Sequence, residues 1–130
     1  MFTGIIEKLG VVHEVIEQGT NRTLWITSEL ASELKIDQSV AHNGVCLTVV
    51  EIEETRYAVT AIDETLKKTN LGALEKGSLV NLERCMMSNG RFDGHMVYGH
   101  VDGTGHCKDV LKEDGSYVFT FEFTVNFKNL

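Results

Sequence analysis

The sequence predicts an all-β protein: a small six-stranded antiparallel Greek-key barrel with short helices, followed by the start of a second, duplicated barrel. Three observations carry this. Short β-branched or aromatic runs alternate with turn signals about every 8–12 residues, the rhythm of small barrels and sandwiches. Asn43-Gly44 separates the apolar runs "SVAH" and "VCLTVVEIE", the strongest short hairpin signal a sequence can carry. The opening of the chain also returns, in altered form, near residue 96.

Taken in order, "GVVHEVIE" (10–17) and "RTLWITS" (22–28) read as strands around the turn-rich "QGTN". "SELASELK" (28–35) reads as a short helix with Ser28 as its N-cap. The Asn43-Gly44 hairpin follows, then a strand in "RYAVTAI" (56–62). "DETLKKTNLG" (63–72) opens with acids, carries Lys67 and Lys68 one turn on, and stops at Asn70 and Gly72. That is a short helix whose charges complement its dipole. "SLVNLER" (78–84) is a further strand. Within "GVCLTV", alternation puts Val45, Leu47 and Val49 on one face and Cys46, Thr48 and Val50 on the other. One face is wholly apolar, while the other offers a thiol and a hydroxyl.

A chain of 130 residues can bury a real core, and its 42% hydrophobic and 24% charged content is that of a globular protein. The net charge of −7 argues against nucleic acid as a partner, because phosphate binding needs basic patches. No apolar run approaches the roughly 20 residues of a membrane span. "MFTGIIEKLG" lacks the basic start and long apolar stretch of a signal peptide, so a cytoplasmic protein without a membrane partner is expected. Cys46, Cys85 and Cys107 form no CxxC pair, and their odd number suggests free thiols in a reducing compartment. The His and Cys residues show no zinc-ligand spacing, so no metal is expected.

The repeat emerges when "MFTGIIEKLGVVHEVI" (1–16) is laid over "MVYGHVDGTGHCKDVL" (96–111). Met1 meets Met96, Gly4 meets Gly99, Gly10 meets Gly105 and Val15 meets Val110. Conservative pairs include Ile6 with Val101 and Glu7 with Asp102. Further on, "RTLWITSEL" (22–30) falls on "YVFTFEFTV" (117–125), strand on strand, at the same offset of 95 residues. The simplest reading is a duplicated barrel whose second copy begins near Met96 and runs for about a third of its expected length. Such a partial barrel leaves strand edges unpaired.

"MFTGIIE", "AHNGVCLTVVE", "ETLKKTNLG", "VNLER" and "DGHMVYGHVDGTG" stand in the order and spacing of the riboflavin synthases (the α-subunit type, a duplicated lumazine-binding barrel). The chain resembles that family over nearly all of its length. The resemblance makes residues 1–95 an N-terminal lumazine-binding barrel and 96–130 the incomplete beginning of a second. It implies a dismutation, in which two molecules of 6,7-dimethyl-8-ribityllumazine exchange a four-carbon unit. The products are riboflavin and 5-amino-6-ribitylamino-uracil, and neither a metal nor an organic cofactor is required. It also implies a homo-oligomer: a trimer for the full-length family, with a dimer open for a shortened chain. Two departures stand out, Asp93 in place of a second glycine and Cys85 in place of an alanine. A shortened chain is expected to bind ligand with little or no catalysis. The alternative, from a different class, is a non-catalytic lumazine- or flavin-binding protein of the same fold.

Carried over residue by residue, the resemblance names three contact segments in the first copy and one in the second. Gly4, Ile5 and Ile6 match the N-terminal segment. Cys46, Leu47 and Thr48 match the hairpin strand. Thr60, Ala61, Ile62, Asp63, Glu64 and Thr65 match the third, where Glu64 and Thr65 offer polar atoms to a ribityl chain. Gly99, His100 and Val101 match the counterpart of residues 4–6 in the second copy. On residue type alone, Cys46 reads as a small core side chain. Under the resemblance it faces ligand, and whether it reacts as a thiolate or only lines the site stays open. His100 stands where the first copy has an apolar residue, and imidazoles are proton carriers near neutral pH. Cys46 and His100 are therefore the catalytic candidates. Phe2, stacking at the mouth or lying in the core, and Ser39, a polar neighbour, are secondary candidates.

Overall fold

The computed structural model describes residues 1–91 and 93–124. Six strands, β1 (Lys8–Gln18), β2 (Asn21–Thr27), β3 (Ser39–His42), β4 (Val45–Ile52), β5 (Arg56–Ala61) and β6 (Leu79–Arg84), close into an antiparallel barrel ordered β1-β2-β5-β4-β3-β6. β3, β4 and β5 form a meander, and β6 pairs with both β1 and β3 to shut the cylinder. Closure removes the exposed strand edges that an open sheet would present. The expected six-stranded barrel is thus the observed one.

Period-two patterning fills the interior. Val12, Leu24, Ile26, Val40, Leu47, Val49, Tyr57, Val59, Val80 and Leu82 all point inward and are buried. The β3–β4 turn needs two left-handed residues, and Asn43 (φ 49°) and Gly44 (φ 82°) supply them. One polar pair sits in this core. His42 Nε2 lies 2.8 Å from the Tyr57 hydroxyl, and His42 Nδ1 lies 3.0 Å from the Val40 carbonyl. The carbonyl can only accept, so Nδ1 carries the proton and Tyr57 donates to Nε2. Burial pushes the His42 pKa down to about 4.

Both expected helices form, in shortened versions. The first is a single 3-10 stretch, Glu29–Glu33, capped by the Ser28 hydroxyl accepting from the Leu30 amide at 3.3 Å. The second divides at Thr69. α1 (Asp63–Lys68) ends there because Thr69 is extended (φ −129°, ψ 171°), and its hydroxyl accepts from the Leu71 amide to start a 3-10 stretch, Asn70–Ala73. A side chain that caps a new turn competes with continuation of the old one.

Beyond the barrel, β7 (His106–Glu113) and β8 (Ser116–Glu122) form a two-stranded antiparallel sheet. Its register copies that of β1 and β2. Val11 pairs with Thr27 and His106 with Glu122; Gln18 pairs with Asn21 and Glu113 with Ser116. The irregularity at Val12/Glu14 recurs at Cys107/Asp109. Every one of these positions is displaced by the same 95 residues. Phe119 and Phe121 occupy the places of the buried Leu24 and Ile26, yet they are 55% and 58% exposed.

The chain's first residues and the connector before β7 lie side by side. Phe2 donates its amide to the Val97 carbonyl at 2.8 Å, and Val97 returns the bond at 2.9 Å. No helix among the described residues is long and apolar enough to cross a membrane.

Candidate functional site

β4 pairs with β5 from Val49 onward, so its earlier residues lack that neighbour. The connector takes the vacant place. The Gly99 carbonyl accepts from the Cys46 amide at 2.8 Å. This close approach depends on glycine. Gly99 has φ +79°, and a Cβ there would lie 2.8 Å from the Cys46 Cβ and 3.0 Å from the Phe2 ring. Residues 99–102 then run toward α1, and a cleft of ≈ 370 Å³ opens between them.

Val45, Cys46, Glu64, Thr65, Lys68, Thr69, Gly99, His100, Val101 and Asp102 line this cleft. It brings together six of the expected residues: Cys46, Glu64, Thr65, Gly99, His100 and Val101. Cys46 faces it because β4 alternates, with Val45, Leu47 and Val49 buried and the intervening positions turned outward. Glu64 binds Lys68 at 2.6 Å across one turn of α1. That hydrogen bond lowers the Glu64 pKa and raises the Lys68 pKa, and Asp102 adds to the second effect. The cleft therefore combines an apolar wall, a thiol, an imidazole and a polar rim with two carboxylates against one ammonium.

Other expected residues lie elsewhere. Leu47 and Ala61 belong to the core, 7% and 0% exposed, so only their backbones could serve a ligand. Thr60 bonds through its hydroxyl to Thr23 at 2.9 Å. Ile62 precedes α1 and is exposed, and Asp63 pairs with Lys67. Thr48 stands opposite Ser39 on the outer face, and the Ser39 carbonyl accepts from the Cys85 amide at 3.2 Å. Phe2 is buried at 1% exposure beneath Gly99. Gly4, Ile5 and Ile6 are exposed and do not line the cleft that holds Cys46. Ile5 instead borders a larger cleft of ≈ 800 Å³ with Glu7, Glu33 and Arg84. There Arg84 is tied to Glu7 at 2.9 Å and Glu33 at 2.7 Å, so its polar groups are already engaged. The smaller cleft is the better candidate because, among the described residues, its thiol and imidazole have no such partners.

Four lining residues had no expectation attached: Val45, Lys68, Thr69 and Asp102. The signal for them was present. Lys68 and Thr69 follow Glu64 and Thr65 by four positions, one helical turn, and Asp102 directly follows Val101. Among the described residues, no group of three or more His, Cys, Asp or Glu side chains is arranged to hold a metal ion.

A barrel with a ligand-sized cleft at a strand edge defines a small-molecule-binding domain. Residues 3–85 match the lumazine binding domain, and the chain belongs to that family. It is 47% identical over 120 residues to the riboflavin synthase of Bacillus subtilis (strain 168), covering 92% of this chain and 56% of that one. It is 40% identical over 125 residues to the riboflavin synthase of Bacillus amyloliquefaciens, covering 95% of this chain and 58% of that one. The chain thus spans little more than half the length of these curated relatives. Among solved structures, LumP complexed with 6,7-dimethyl-8-(1'-D-ribityl) lumazine superposes with a TM-score of 0.85 over 97% of this chain and 71% of LumP. At 21% identity, that likeness concerns the fold.

Proposed function

We propose that this chain is the N-terminal part of a riboflavin synthase, with the Cys46–His100 cleft as a binding site for 6,7-dimethyl-8-ribityllumazine. The observation that carries the reading is the junction of β4 with residues 99–101, which sets Cys46 and His100 in one cleft beside α1. The ring would lie against Cys46 and Val101, and the ribityl hydroxyls would meet Glu64, Thr65 and Asp102. Dismutation then requires two such rings face to face, with one C7 methyl losing a proton and a nucleophile adding at C7 of the partner. Holding two reactants aligned can supply about 7–11 kcal/mol of the barrier. His100 is the candidate proton carrier, and Cys46 the candidate nucleophile or wall.

Residues 96–124 act, on this reading, as the opening of a second lumazine-binding barrel. The matched strand register supports it. The exposed aromatic face of β8 supports self-association of the chain, and the three free cysteines suit a reducing cytoplasm.

A binding-only role is the second reading. The described residues form one closed barrel, while the reaction needs two stacked rings. The rim also speaks to ligand choice: two carboxylates against one lysine favour an unphosphorylated ribityl chain over one ending in phosphate. Mixing the chain with 6,7-dimethyl-8-ribityllumazine and following ligand fluorescence and riboflavin formation tests both readings. Binding with turnover supports the synthase, binding without turnover supports the binding protein, and an unchanged ligand signal overturns both.

A further inference from the structure

Glu83 lies outside the cleft and is 5% exposed, yet its carboxylate is fully engaged. One oxygen accepts from the Thr3 amide at 2.5 Å and the Thr3 hydroxyl at 2.7 Å; the other accepts from the Gly4 amide at 3.0 Å. Such charge-assisted bonds are the strong kind. Register explains the position. Ala41 on β3 pairs with Glu83 on one side and Cys46 on the other, so the three form a row across the barrel's outer face. Residues 2–4 are held at the Glu83 end of this row, and Gly99 at the Cys46 end.

We propose that Glu83 is a positioning residue for the ligand cleft: by gripping Thr3 and Gly4 it seats residues 97–101 on the free edge of β4. This rests on the cleft being the ligand site. Four backbone hydrogen bonds tie the connector at residues 95–99. Three of them go to Phe2 and Thr3, the residues that Glu83 holds in place: Val97 to Phe2, Phe2 to Val97 and His95 to Thr3 at 3.0 Å. The fourth is the Cys46–Gly99 bond itself. Without the carboxylate, residues 2 and 3 keep only the Met1 carbonyl's bond from the Met86 amide at 2.9 Å and the buried Phe2 ring to fix them against the barrel, and the wall of the cleft is held less firmly. A neutral amide is no substitute, because its NH₂ group would face an N–H or O–H donor.

The test uses the full 130-residue chain. Amide hydrogen exchange at Cys46 reads the seating of the connector, β2 and β5 amides read the barrel, and a riboflavin titration reads the cleft. Glu83→Gln should speed Cys46 exchange and weaken riboflavin binding, each by roughly tenfold or more, with β2 and β5 unchanged. Thr3→Val should move both in the same direction by less, and Thr3→Ser should restore them. Unchanged Cys46 exchange and affinity in both Glu83→Gln and Thr3→Val overturns the proposal. Should Glu83→Gln loosen the whole barrel, Thr3→Val decides, since it removes one hydroxyl outside the core. If the unaltered chain binds no riboflavin, the ligand assignment fails, while Cys46 exchange still decides the role of Glu83.

Discussion

The carbonyl of Gly99 accepts the amide of Cys46 at 2.8 Å, and the space between the two residues is too small for a Cβ. Gly99→Ala must therefore either push the connector off β4 or strain a left-handed backbone. The expected result is a loss of about tenfold or more in lumazine affinity, the equivalent of 1–3 kcal/mol of strain. The barrel, which closes without residue 99, keeps its melting temperature. Fluorescence titration beside thermal denaturation checks this, and unaltered affinity would sink the assignment of the connector as a cleft wall.

The acidic rim makes a separate prediction about ligand choice. Flavin mononucleotide should bind about three- to tenfold more weakly than riboflavin at low salt, given one excess negative charge near the ribityl end. The gap should narrow near 1 M salt, where the screening length falls to about 3 Å. Asp102→Asn should narrow it as well. Paired titrations of the two flavins decide the matter, and equal affinities at low salt would remove the rim from the argument.

The His42–Tyr57 pair predicts a pH dependence of stability. The folded pKa of His42 is lowered to about 4 from 6.5 by burial, so the unfolded chain takes up the proton first as pH falls. The neutral-histidine contribution is complete above about pH 6.5 and is lost progressively down to about pH 4. Its size is on the order of 3 kcal/mol. Urea denaturation from pH 7.5 to 4.5 should show the decline, and His42→Leu should flatten it. Tyr57→Phe leaves Nε2 buried without a donor, which costs about 1–3 kcal/mol at neutral pH.

Exposed Phe119 and Phe121 occupy the register positions on β8 that the buried Leu24 and Ile26 occupy on β2, and apolar faces of that kind seek cover. Sedimentation velocity should show a dimer or larger species. Phe119→Ser combined with Phe121→Ser should shift it toward monomer without changing the melting of the first barrel. A monomer at every concentration would contradict this.

Much of this was readable from local chemistry. Asn43-Gly44 specified its own turn, and alternation in "GVCLTV" correctly turned Cys46 away from Leu47. Thr69 was less legible, because a capping threonine and a mid-helix threonine look alike until the backbone is placed. The harder case is Gly4 to Ile6. They align with Gly99 to Val101 at the 95-residue offset, and nothing in either segment states which of the two lies against Cys46. The structure puts the later segment beside Cys46, and that choice depends on the path of the connector rather than on residue type. Glu83 was hidden for a related reason: its partners, Thr3 and Gly4, are about 80 residues away in the chain.

Phe2 and Val97 stand 95 residues apart, the offset at which the opening pattern of the sequence returns, and they exchange reciprocal bonds. Reciprocal bonds between matching segments are the form that a two-fold contact between identical subunits takes. Here both segments belong to a single polypeptide. The contact has the form of a dimer interface, but the intervening chain fixes its effective concentration, so dilution cannot undo it. A free dimer would assemble this cleft only when crowded enough to pair; the tethered form carries its pairing wherever it goes.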